Sequence, residues 1–129
     1  MSDNPKDLRY TNDHEWARPE GDRVQVGITR HAVEQLGDIT LVNIDVKVGA
    51  KVTAGKAFGT VESVKAVSDL FAPITGTVVE INGALQKTPE VINDDPYVAG
   101  WMVTVQLDAG QSLDALMSAE QYDAYLGTL

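Results

Sequence analysis

The chain has 129 residues, 43% of them hydrophobic and 22% charged, enough for one hydrophobic core and too few for two ordinary domains. Ten Lys and Arg against nineteen Asp and Glu leave a formal net charge of −9. A phosphate backbone or an anionic membrane is repelled at long range, so neither nucleic acid nor a membrane is expected as a partner. There is no cysteine, which excludes disulfides, thiolate nucleophiles, iron–sulfur clusters and cysteine–zinc sites; any redox chemistry has to be imported.

The charge is uneven. Residues 1–65 hold ten acids and nine bases, whereas residues 66–129 hold nine acids and the single base Lys87. Such an acidic half suits solubility or a docking surface for basic partners. No apolar run approaches the roughly 18 residues of a membrane span. The start, Met1 to Asp7, lacks the basic and apolar regions of a signal peptide, so a cytoplasmic bacterial protein is expected, or a mitochondrial matrix protein already stripped of its leader.

In chain order, Glu20-Gly21-Asp22-Arg23 is a turn, and Val24, Val26 and Ile28 alternate as in a half-buried strand. A short helix follows, capped by Thr29, with Ala32, Val33 and Leu36 on one face and Gly37 as its stop. Val42, Ile44, Val46 and Val48 predict a second strand. After the glycine-bracketed link Gly49 to Gly55, residues Ala57 to Glu62 predict a third. Pro73 and Gly76 punctuate before a strand at Val78 to Ile81. A polar loop containing Asn93-Asp94-Asp95-Pro96 leads to the period of two at Trp101, Val103, Val105 and Leu107. Beyond Gly110, Ser112 and Ser118 predict two short helices, the second with Gln121 at capping-box spacing and with Tyr122, Tyr125 and Leu126 packing back on the sheet. Many short strands with helices near the ends indicate a β-rich sandwich or barrel.

Enzyme signatures fail one by one. The two histidines, His14 and His31, lack metal-ligand spacing, and no Gly-x-Ser-x-Gly elbow is present. The run Gly49 to Ala57 resembles a phosphate loop but has five residues between its glycines instead of four, and Ala57 where Ser or Thr is needed. Asp94-Asp95 before Pro96 reads as a turn.

What remains is Val61-Glu62-Ser63-Val64-Lys65-Ala66-Val67. Lys65 follows one expected strand and precedes the apolar Val67, Leu70 and Phe71, which puts it near a strand reversal. Val64-Lys65 nevertheless lacks the Gly or Asn that two-residue primed turns prefer. On these residues alone, a solvated surface lysine and a modification site both stand.

Six segments resemble, in order and at family spacing, the H-protein family of the glycine cleavage system. They are Tyr10-Thr11-Asn12-Asp13-His14-Glu15-Trp16, Val26-Gly27-Ile28-Thr29, Gln35-Leu36-Gly37-Asp38, Val61-Glu62-Ser63-Val64-Lys65-Ala66, Ala72-Pro73-Ile74-Thr75-Gly76 and Pro96-Tyr97-x-x-Gly100-Trp101. The match runs from about Leu8 to Leu126. Glu-Ser-Val-Lys-Ala separates this family from other lipoyl and biotinyl carriers, whose tips usually read Asp-Lys-Ala or Met-Lys-Met; Ala-Pro-x-x-Gly is shared across the group. The resemblance implies an α+β, β-rich fold of the barrel-sandwich hybrid type: a lipoyl-domain-like flattened antiparallel sandwich with short peripheral and C-terminal helices. It would span 1–129 as one carrier domain, with its core at about 8–108 and C-terminal helices at about 112–127.

By the same resemblance, Lys65 carries (R)-lipoate as N6-lipoyllysine, with Glu62, Ser63, Val64 and Ala66 as its motif neighbours, and the protein has no turnover of its own. A monomer is expected, modified by a lipoate ligase or lipoyltransferase. It would take the aminomethyl group of glycine from a pyridoxal-phosphate glycine decarboxylase to a tetrahydrofolate-dependent aminomethyltransferase, and dihydrolipoamide dehydrogenase would reoxidise its dithiol. A free lysine has a pKa of about 10.4, so acylation needs an activated donor and removes one positive charge, taking the formal total from −9 to −10. Glu62 and Asp69, three residues before and four after Lys65, suit either solubility or recognition. The loaded arm would need shelter from hydrolysis in a cleft, with Glu15 the leading carboxylate to hold its amine, then Asp69, then Asp13. Gln35 and Asp13 depart from the His and Ser often found there. Two competing readings stand beside this one: an H-like protein relaying lipoate to other enzymes, and a small hydrolase using His14 or His31, whose activity would survive Lys65→Ala.

Overall fold

The described residues form nine short strands, β1 (Arg9–Tyr10), β2 (Glu15–Glu20), β3 (Arg23–Ile28), β4 (Ile39–Ile44), β5 (Lys51–Val52), β6 (Ala57–Ser63), β7 (Val67–Phe71), β8 (Gly76–Ile81) and β9 (Val103–Leu107), most clearly where apolar residues alternate, as in β3 and β9. The computed structural model describes residues 4–129; Met1, Ser2 and Asp3, the start of the segment read above as lacking a targeting signal, lie outside the described residues. All pairings are antiparallel. They form a six-stranded sheet ordered β1-β2-β3-β9-β8-β5 and a three-stranded sheet ordered β4-β6-β7. Among the described residues there are also four short helices, α1 (Arg30–Leu36), α2 (Ala84–Lys87), α3 (Val91–Asp94) and α4 (Ala119–Leu126).

The period-two pattern decides which faces meet. Val24, Val26, Ile28, Val78, Val103 and Val105 of the larger sheet pack in one core with Val42, Phe58, Val61 and Leu70 of the smaller one. This is the expected flattened sandwich of two open sheets. The other side of the larger sheet is also covered. Trp16, paired with Gly27, joins Leu8, Tyr10, Ala119 and Tyr122 in a second cluster. Trp16 is fully buried, and its indole N–H donates to the Pro96 carbonyl at 2.9 Å. A Cβ on Gly27 would stand 2.6 Å from the indole ring, so only glycine lets that ring lie on the strand.

Helix α1 forms as expected: the Thr29 hydroxyl accepts from the Ala32 N–H, and Gly37 ends the helix. Helix α4 has the full capping box between Ser118 and Gln121. Three expectations need correction. The second strand ends at Ile44, because the turn at Val48 and Gly49 (φ 95°) takes over; Val46 still packs on the core, whereas Val48 is exposed. Ser112 does not start a helix: its hydroxyl accepts from the Asp114 N–H in a local turn, and regular helix begins only after Ser118. The loop before Trp101 holds the one-turn helices α2 and α3, which bury Leu85 and Ile92. Strands β1 and β2 lie in a stretch for which no strand was expected.

Candidate functional site

The hairpin β6–β7 presents Lys65 at its tip. The last pair of the ladder is Glu62 with Val67, and beyond it the Ser63 N–H donates to the Ala66 carbonyl at 2.8 Å, leaving Val64 and Lys65 as the two tip residues. Neither tip residue has a positive φ, so the turn is not of the primed kind, and a serine side chain supports it instead. The Ser63 hydroxyl accepts the N–H groups of Lys65 (3.3 Å) and Ala66 (3.0 Å), satisfying the amides that the reversal leaves open. A second tie comes from outside the hairpin, where the Val64 N–H donates to the Asp38 carbonyl at 3.1 Å. Val64, Lys65 and Ala66 are exposed while their backbone is held on both sides. The Lys65 stem leans over the end of α1: a Cβ on Gly37 would lie 3.5 Å from Lys65 Cε. Glu62 faces outward and is partly buried, and Asp69 is exposed on β7.

The base of the hairpin is different in character. Strand β7 is the edge of its sheet, and its free edge turns towards β2. Glu15, at the start of β2, is buried. Its Oε2 accepts the Phe71 N–H at 3.3 Å, and its Oε1 accepts the Thr11 hydroxyl at 2.9 Å. Burial pushes the Glu15 carboxyl up to about 8, against the opposing pull of the Thr11 and Phe71 hydrogen bonds, with the nearby Asp13 adding to the rise. A cleft of about 390 Å³ opens here, with Glu15, Asp13, Thr11, Tyr10 and Pro73 in its wall. Glu15 and Asp13 are thus brought together. Asp69 stands apart from that wall, on the same strand as Phe71 and between it and Lys65.

The two histidines meet although nothing in their spacing announced it. Their rings are 4.5 Å apart, and His14 Nδ1 is 2.7 Å from the Tyr122 hydroxyl, which is 2.8 Å from Thr29 Oγ1. Burial, then the neighbouring His31, lowers the His14 pKa. His14 holds φ at 69°, fixed by the Thr29 N–H donating to its carbonyl. The hydroxyl chain ends at Thr29, which is fully buried and caps α1, so it offers no accessible nucleophile. Among the described residues, no group of three or more His, Asp or Glu is placed to hold a metal ion.

An exposed lysine thus sits on a doubly anchored tip, and the buried Glu15 meets the other end of the same hairpin. The family model described as "Glycine cleavage H-protein" matches residues 8–128. The chain belongs to the glycine cleavage H-protein family. Glycine cleavage system H proteins of Geobacillus kaustophilus (52% identical over 122 residues, 95% of each chain) and Myxococcus xanthus (50% over 127 residues, 98% of each) are among its relatives. The crystal structure of a glycine cleavage system H protein from Mycobacterium marinum superposes with a TM-score of 0.86 at 45% identity, covering 96% of this chain and 99% of that one. As a member of the H-protein family, the chain is a non-catalytic carrier subunit of the glycine cleavage system, and the family implies a lipoyl cofactor. Among the described residues no helix is long and apolar enough to cross a membrane.

Two contributors to the site carry no local signal. Gly37 meets Lys65 from 28 residues away and Asp38 meets Val64 from 26. Ser63 did carry one, because a serine two residues before a tip lysine is a candidate side-chain cap.

Proposed function

We propose that Lys65 bears the lipoyl group in amide linkage and that Glu15, at the other end of the hairpin, holds the amine of the aminomethyl-loaded arm. The observation that carries the reading is the exposure of Lys65 on a tip held by Ser63 and Asp38, in a chain covered by the H-protein model over residues 8–128. The chemistry of the residues fits the group. A primary amine at the end of an exposed stem is open to a modifying enzyme from most directions, and the small neighbours Ser63 and Ala66 leave room for one. Attachment proceeds as the deprotonated Lys65 Nζ attacks the carbonyl carbon of an acyl-adenylate donor. The C–N bond forms, the C–O bond to AMP breaks with AMP keeping the electron pair, and the nitrogen sheds a proton.

The lipoyl disulfide supplies the group transfer and redox chemistry that a chain without cysteine lacks. The chain's own residues supply position and shelter. Phe71 lies six residues from Lys65 along an extended strand, roughly 20 Å. An extended lysine plus lipoyl chain reaches about 15 Å by its bond lengths, most of the way to the Phe71 N–H that Glu15 accepts. Asp69 stands along that route and Asp13 lines the cleft at its end. Empty, Glu15 is largely neutral near pH 7; an arriving ammonium favours its ionised form and is held as an ion pair away from water. The partners in this reading are the decarboxylase, the aminomethyltransferase, dihydrolipoamide dehydrogenase and a lipoate-attaching enzyme. The bacterial relatives support a cytoplasmic compartment.

Intact mass of the protein from its source tests the reading. An increment of roughly 188 Da on Lys65 is expected for a lipoyl amide. Unmodified Lys65 in a lipoate-replete cell would overturn it.

A further inference from the structure

The outer face of the three-stranded sheet carries an apolar and acidic surface that the carrier cycle has not used. Leu41 of β4 pairs with Glu62 of β6, which pairs with Val67 of β7, so the three side chains form one row across the sheet. Val42 and Val61, the next residue to Leu41 and to Glu62, and Leu70, an odd three positions from Val67, point into the core, which sets this row on the outside. Leu41 is 42% exposed and Val67 67%, and Val64 beside them at the tip is 71% exposed. Of the six large apolar side chains exposed among the described residues, three therefore stand together around Lys65.

Charge accompanies them. Glu62 sits at the centre of the row, Asp69 lies two residues beyond Val67, and Asp45 continues the outward side of β4, where its carboxylate takes the Asn43 amide. No salt bridge neutralises them: among the described residues the one such pair is Lys51 with Asp108. Lys65 is the cation at this end of the hairpin, and Lys56 precedes β6 at the opposite end.

We propose that this face is the docking surface of the enzyme that acylates Lys65, a partner with an apolar side chain seated between Leu41 and Val67 and a basic side chain over Glu62. The proposal rests on the reading of Lys65 as the attachment site. Three features favour this occupant. Before acylation there is no lipoyl group to recognise, so the modifying enzyme has to find its lysine by the protein surface around it. The uncancelled carboxylates call for a basic partner and would speed encounter. The Lys65 stem leans to Gly37 at the end of α1, and Leu41, Val64 and Val67 are left exposed.

The test is in vitro acylation of the full unmodified chain by a lipoate ligase with ATP and lipoate, reading KM for the acceptor protein separately from kcat. Leu41→Asp and Val67→Asp should each raise KM by about tenfold or more while kcat stays within about twofold, the size of effect a central interface residue produces. Leu41→Thr and Val67→Thr keep β propensity and should move KM in the same direction, which separates lost docking from a disturbed strand. Glu62→Lys should raise KM and flatten its dependence on salt. Val98→Asp, at a 64% exposed position between α3 and β9, is the control and should leave both constants unchanged. Row variants that raise KM no more than the control does would overturn the docking face. Wild-type chain that gains no lipoyl mass at Lys65 would overturn the attachment site itself, and the docking proposal with it.

Discussion

The Glu15 carboxylate, on β2 of the larger sheet, accepts the backbone N–H of Phe71 on the edge strand of the smaller sheet, so one buried acid joins the two layers at the base of the hairpin. Its folded pKa, about 8, is raised above the 4.5 of a free glutamate. The unfolded chain therefore releases the proton first as pH rises. The stability tied to this group is fully present below about pH 4.5 and is lost as pH climbs through about 8. In Glu15→Gln that loss is absent. Urea unfolding at pH 5 and pH 8.5 should show the variant gaining on wild type by on the order of 2–4 kcal/mol across the interval. Parallel pH profiles would count against a neutral buried Glu15.

The same substitution separates holding from attachment. Glu15→Gln should leave lipoylation at Lys65 intact yet speed hydrolysis of the aminomethyl adduct by roughly tenfold or more, since a charge-assisted hydrogen bond to the amine is lost. Formaldehyde release from the loaded protein measures this. An unchanged decay rate would remove Glu15 from the account.

Gly37 adopts φ 84° and ψ −167°, a region essentially restricted to glycine, directly beneath the Lys65 stem. Gly37→Ala should destabilise the protein by about 1–3 kcal/mol in thermal or chemical unfolding, through backbone strain rather than crowding. The space itself is adequate, because the nearest atom to the added Cβ would be 3.5 Å away.

Ser63→Ala removes the acceptor for the Lys65 and Ala66 amides. Water replaces it at this exposed tip, so global stability should fall by less than about 1 kcal/mol. Amide exchange at residues 65 and 66 should accelerate while β7 keeps its protection.

Gly59 lies where β6 is bulged against β7, and a Cβ there would come within 2.3 Å of the Asn43 carbonyl on β4. That neighbour is backbone and has nowhere to turn. Gly59→Ala should cost about 3 kcal/mol and open the β4–β6 pairing, visible as lost amide protection at Asn43 and Ile44.

Local chemistry was legible where it was sufficient. Thr29 and Gly37 bracket α1, Ser118 and Gln121 box the start of α4, and Val103 to Leu107 alternate cleanly because one face is buried. Strand β2 was hidden by Arg18, Pro19 and Glu20, and its place is set by pairing with β3, a tertiary fact. Ser112 looked like a helix cap because a serine serves a turn equally well, and here the turn wins. At the site, Lys65 stands out mainly through the whole-chain resemblance, since Val64-Lys65 lacks usual turn residues. The meeting of Glu15 with Phe71, 56 residues apart, and of Gly37 with Lys65 is invisible to any local pattern. His14 and His31, which lack metal-ligand spacing, come together because the start of β2 and the start of α1 are tied through Thr29.

The hydrogen bond from Val64 to Asp38 fastens the hairpin tip to the segment after α1, so the anchor of any arm on Lys65 is a fixed point. All of the searching is left to the arm. A reach of about 15 Å over the exposed hemisphere sweeps roughly 7,000 Å³, which holds a single attached group at about 0.2 M. A floppy tip would dilute that figure steeply, because volume grows with the cube of reach. The stiffness of the tip, to which this backbone bond contributes, thus bears on the local concentration at which any group attached to Lys65 would be presented.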